Sequence, residues 1–72
     1  MAKAQVRNNV RRLREERGMT QTDLAQGCGC TRQTIIMLEQ GRYVPSLSLA
    51  FSIAKALDIA LEEVFEPVDQ TD

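Results

Sequence analysis

Apolar residues recur along most of the 72-residue chain at intervals of three and four, the spacing of helices that turn one face inward. Val10 and Leu13 mark a first helix, starting at Asn8 or Asn9 as cap and running to Arg17, with Gly18 as its stop. Leu24, Ala25 and Cys28 give one face to a second helix, for which Thr20 is the cap and Asp23 the negative charge a helix start favours. Ile35 and Leu38 form the inner face of a third, opened by Thr31 and stopped by Gly41. Leu47, Ala50, Phe51, Ile53, Ala54 and Leu57 predict the core stripe of a fourth, capped by Ser46. A fifth, short helix spans about Leu61 to Glu66; Ala60 gives it no hydroxyl cap, and Glu62 and Glu63 offset this at the positive end of its dipole. Asp58, between the last two, is expected in the left-handed conformation that aspartate tolerates. The pattern predicts an all-α fold, a compact five-helix bundle, with Ala4 to Arg7 able to pair as a small strand with the segment after Phe65. Met1 to Arg7 and Val68 to Asp72 are expected to be mobile ends.

The stretch Thr20 to Gly41 stands out, because its two helices are joined by a tight turn at Gly29 and the second displays polar side chains. At about 100° per residue, Gln33, Ile36, Met37 and Gln40 point away from the core, with Arg32 at the edge of that face. That is the layout of a helix-turn-helix, whose second helix enters the DNA major groove. An ordinary pair of antiparallel helices inside a bundle would account for the same caps, glycine and apolar face.

The phrases TQTDLA, TRQTI, LEQGRYVPSL and LEEVF decide between them, since together they resemble the helix-turn-helix proteins of the lambda-repressor and Cro type, the XRE family, in its short stand-alone form. The resemblance covers about residues 8 to 66 and implies a single DNA-binding domain. It matches Arg32, Gln33, Thr34 and Met37 to base-reading positions at the start and on the face of the recognition helix, with Ile36 beside them. Gln21, Arg42 and Tyr43 match positions that hold the phosphate backbone. Arg14 and Glu39 match a pair that joins the first helix to the third. The family often dimerises near its last helix, which here suggests Val44, the segment Ile59, Ala60 and Leu61, and Val64. The chain departs from the family at Gly27, where a longer helix former is usual, so the second helix is expected to fray or end early.

Composition narrows the function classes. A chain this short makes one small domain with little room for a catalytic cleft. Histidine is absent and only two cysteines are present, so neither a catalytic triad nor a complete metal cluster is visible, and no cofactor is expected. Cys28 and Cys30 read either as small core hydrophobes or as a C-x-C thiol switch. No apolar run is long enough to span a bilayer, and the amino end lacks a signal-peptide core, which points to a soluble, cytoplasmic protein. The net charge of -1 looks wrong for a DNA binder, but the halves differ. Residues 1–46 hold eight Lys or Arg against four Asp or Glu, whereas residues 47–72 hold one against six. Two functions remain: a regulator, most simply a repressor, that binds double-stranded DNA as a homodimer, or a protein-interaction module of antitoxin type that uses the Ile36 and Met37 face for a partner. Arginine and glutamine can pair with guanine and adenine edges, while isoleucine and methionine suit a thymine methyl or another protein.

Overall fold

The structure, a computed structural model, describes residues 6–68. In chain order it contains β1 (Val6–Asn8), α1 (Val10–Glu16), α2 (Gln21–Cys28), α3 (Arg32–Glu39), α4 (Leu47–Leu57), α5 (Leu61–Val64) and β2 (Phe65–Pro67). The five predicted helices are present, and the strand pair forms beside them. It pairs Val6 with Pro67, Arg7 with Glu66 and Asn8 with Phe65, antiparallel. Val6 and Arg7 therefore belong to a strand, and the fifth helix ends at Val64 because Phe65 turns to extended backbone. The remaining residues expected to be mobile lie outside the described range, Val68 excepted.

Caps set the helix boundaries where the sequence placed them. The Thr20 hydroxyl accepts the Asp23 N–H while the Asp23 carboxylate accepts the Thr20 N–H, so two of the four unpaired donors at the start of α2 are satisfied reciprocally. These bonds also hold the Asp23 carboxyl below its ordinary value, the Thr20 backbone bond contributing most. Thr31 and Ser46 accept N–H groups of α3 and α4 in the same way. Asp58 closes α4 with φ of 56°, the left-handed value expected of it.

At α1 the outcome differs. Asn9 occupies the cap position, but its side chain makes no capping bond; of the two expected asparagines it is Asn8 whose side-chain Oδ1 accepts the Val10 N–H. The two asparagine amides are used over long range, Asn8 donating to the Leu38 carbonyl and Asn9 to the Glu63 carbonyl. Both ends of the described chain are thereby tied to the helical body.

Val10, Leu13, Leu24, Ala25, Ile35, Leu38, Ile53, Ala54, Leu57 and Val64 form the core, and every helix contributes to it. Burying each large side chain among these is worth about 1.5–3 kcal/mol. Helix α2 does not fray at Gly27: it continues to Cys28 and stops at Gly29, whose φ of 71° requires a residue without Cβ strain. Tertiary packing overrides the weak propensity of Gly27, because α2 lies against α4.

Two expectations are overturned by exposure. Leu47 and Phe51, read as core, stand 67% and 54% exposed. They lie on the flank of the α4 stripe, whose centre at Ala50, Ile53, Ala54 and Leu57 faces the other helices. Val64, read as part of a subunit contact, is wholly buried in the core and has no surface to offer.

Candidate nucleic-acid interface

Helix α2 packs against both α3 and α4, α3 also meets α1, and the first turn of α3 faces outward. Arg32 and Gln33 are exposed there; Thr34, Ile36 and Met37 are half-buried. The Thr34 hydroxyl bonds the Thr31 hydroxyl at 2.9 Å, so it is shared with the helix cap. Arg42 and Tyr43 follow α3 in the exposed loop to α4. Gln21, at the start of α2, is half-buried and borders an open polar hollow together with Arg14, Thr20, Thr22 and Arg32. Gln21 of α2 and Arg32 of α3 thus border one hollow, while Arg42 and Tyr43 follow α3 directly in the chain.

This side is held from behind by the pair that the sequence singled out. Arg14 reaches from α1 to the Glu39 carboxylate, with Nε 2.6 Å from Oε2 and Nη2 3.2 Å from Oε1, a two-pronged contact. A third guanidinium N–H meets the Met19 carbonyl at 2.8 Å. The Arg14 and Glu39 side chains are 10% and 5% exposed, so this is a buried ion pair with its donors and acceptors satisfied. Its Glu39 bond raises the Arg14 pKa, so the guanidinium stays charged. The Gln21 amide also donates to Glu39 Oε1 at 3.2 Å, a contact with no local signature, because the partners are far apart in the chain and on different helices.

The positive side of the molecule is narrower than the arginine count suggests. Arg11 pairs with Glu15 and Arg12 with Glu16 along α1, and both pairs are exposed and therefore weak. Arg17 is spent on backbone carbonyls, bonding Leu13 and Leu57. Arg32 and Arg42 make no ion pair among the described residues, which leaves their charge available next to α3.

On another side, Val44, Leu47 and Phe51 are exposed, and Val44, Leu47, Leu61 and Phe65 line an apolar groove that also touches Glu62. Ile59 and Leu61 are half-buried against the core and Ala60 is exposed. Cys28 and Cys30 are half-buried free thiols packed on the core. Burial, with Cys30 nearby, pushes the Cys28 thiol up to about 11, and burial raises Cys30 as well, which suppresses the thiolate that redox chemistry would use. Among the described residues no group of three or more His, Cys, Asp or Glu side chains could hold a metal ion, and no helix is long and apolar enough to cross a membrane.

Comparison with known proteins agrees with this layout. The helix-turn-helix family model HTH_3 matches residues 10–64. A transcriptional regulator of this type from Methanothermobacter thermautotrophicus is 52% identical over 61 residues, 83% of this chain and 88% of the relative. The restriction-modification controller protein of Aeromonas hydrophila superposes with a TM-score of 0.73 at 35% identity, covering 75% of this chain and 82% of that one. An immunity repressor of Bacillus phage phi105 is 34% identical over 59 residues, 82% of this chain but only 41% of the repressor.

Proposed function

The chain belongs to the helix-turn-helix family HTH_3 and is a transcriptional regulator with a DNA-binding fold, and on that premise we propose that it represses transcription by occupying a palindromic operator as a dimer. Helix α3 lies in the major groove. The observation that carries the reading is that Arg32 and Arg42, which make no ion pair among the described residues, accompany a recognition helix fixed to α1 by the buried Arg14–Glu39 contact. Arg32 suits guanine O6 and N7, Gln33 suits adenine N6 and N7, and Ile36 and Met37 suit thymine methyls beside Thr34. Gln21, Arg42 and Tyr43 hold the phosphate backbone and set the register. Repression is supported by the resemblance to the phage immunity repressor, and the cytoplasm is where such a protein meets its DNA.

The dimer follows from the size of the reader. One recognition helix spans only a few base pairs, whereas two helices about 34 Å apart read successive major grooves of a palindrome. We assign the second copy to the apolar groove, which Val44, Leu47 and Leu61 line, with Ile59 and Ala60 just before Leu61 in the chain and the exposed Phe51 one helical turn beyond Leu47 on α4; the buried Val64 takes no part. Large apolar side chains left this exposed on one face mark an association surface.

A band-shift titration with the DNA flanking the protein's own coding region tests this reading. A complex that survives excess random duplex supports it; failure to form any complex, or loss of the complex to equal amounts of random duplex, overturns it.

A further inference from the structure

We propose that Glu39 is a positioning residue for the grip on DNA: its carboxylate takes one N–H of the Gln21 amide and so turns the other toward a backbone phosphate. The inference rests on the DNA-binding reading above and assigns Glu39 a task beyond joining α1 to α3.

The geometry is specific. Glu39 Oε1 accepts from both Arg14 Nη2 and Gln21 Nε2, each at 3.2 Å, while Oε2 takes the shorter 2.6 Å bond from Arg14 Nε. A glutamine amide carries two N–H donors in one plane, so fixing one fixes the direction of the other. Gln21 borders the polar hollow shared with Thr20, Thr22 and Arg32, and its second donor is available there. Electrostatics favours an anion in that hollow although a carboxylate stands behind it. Arg14 offsets the Glu39 charge through two bonds, and Arg32 remains as a cation with no ion pair among the described residues. An amide held in place before binding loses less rotamer freedom when it meets phosphate than one that swings in solvent.

A neutral amide and an arginine leave different traces at a phosphate. Counterion release follows charge, so loss of an arginine contact lowers the salt dependence of binding by about one ion, whereas loss of an amide contact leaves it unchanged. Gln21→Ala is therefore expected to weaken binding to operator and to random duplex alike, by about tenfold, with the same salt slope as the wild type. Glu39→Gln, assayed well below its unfolding midpoint with the folded state confirmed by circular dichroism, should show the same loss and the same slope. The double variant should be no weaker than Gln21→Ala. Losses that multiply to about a hundredfold, or a Gln21→Ala protein that binds as well as the wild type, would overturn the proposal.

A second measurement needs no variant at position 39. In the NMR spectrum of the wild-type protein, a random-sequence duplex should move the Gln21 side-chain proton that faces the hollow and leave the one bonded to Glu39 in place. Movement of the Glu39-bonded proton alone, of both, or of neither contradicts the proposal. Wild-type protein that binds no duplex at all overturns the DNA reading and this inference with it, whereas binding with multiplying losses removes the positioning role only.

Discussion

Helices α3 and α4 both carry apolar side chains outside their core stripes, but their neighbours differ. On α3, Ile36 and Met37 are half-buried and sit among Arg32, Gln33 and Gln40. On α4, Leu47 and Phe51 stand more than half exposed, with Val44 nearby and Glu62 at the rim of the groove. The first surface offers cations and hydrogen-bond donors around a methyl-sized apolar contact, which suits a base edge beside a phosphate. The second offers apolar area with carboxylate at its edge, which repels nucleic acid and suits protein. The difference teaches that an apolar residue facing outward takes its meaning from the charges around it.

The largest effect expected is on the fixed side of this comparison. Glu39→Ala leaves the Arg14 guanidinium buried without its partner and should cost about 3 kcal/mol or more in thermal or urea unfolding. The Arg14→Ala, Glu39→Ala double variant should lose less than the two single losses added together. Full additivity would mean that the α3 side is no more tightly held than the α4 side.

Next come the readers themselves. Arg32→Ala and Gln33→Ala should each lower operator affinity by about 1–3 kcal/mol while leaving binding to random duplex nearly intact, and Arg42→Ala should weaken both alike. Fluorescence anisotropy against the two duplexes measures all three. Equal losses on both DNAs for Arg32, Gln33 and Arg42 would show that α3 is not the reading helix.

These predictions use positions that were legible in the sequence for a physical reason. Caps and turns depend on one or two neighbouring residues, so Thr20 with Asp23, Thr31, Ser46, Gly29 and Asp58 all stand where local chemistry put them. Periodicity says which residues share a face and does not say which flank of that face is covered. Leu47 and Phe51 were misassigned on that account, because α4 is apolar over a wider arc than its neighbours cover. The exchange of Val64 for Leu47 in the groove, with Phe51 one turn further along α4, has the same origin. The Gln21 contact with Glu39 was hidden for another reason: it links residues 18 apart through a tertiary arrangement that no local pattern encodes.

Smaller effects sharpen the contrast between local propensity and packing. A Cβ added at Gly27 would meet the Ala56 Cβ at 3.5 Å, an ordinary contact, so Gly27→Ala should stabilise α2 by about 0.5–1 kcal/mol with no loss of operator binding. A loss of stability would show that α2 and α4 pack more closely than this. At the same helix, the Asp23 carboxyl has its pKa lowered in the folded state by the Thr20 bonds. Its contribution is therefore present above the ordinary carboxyl value of 3.8 and is lost as pH falls through the lower folded value. Acid titration of Asp23→Asn should show a shallower fall in stability below pH 3.8 than the wild type, and an identical acid limb would remove the carboxylate from the cap.

The division of labour between the two surfaces is tested most directly by sedimentation equilibrium at micromolar concentration, on the wild type and on a folded Phe51→Glu variant. The wild type should sediment at twice the 8.1 kDa chain mass and the variant at the chain mass, with its operator affinity reduced. A wild type that sediments as a single chain, or a folded variant that keeps the doubled mass, would contradict the assignment of the α4 face to a second copy.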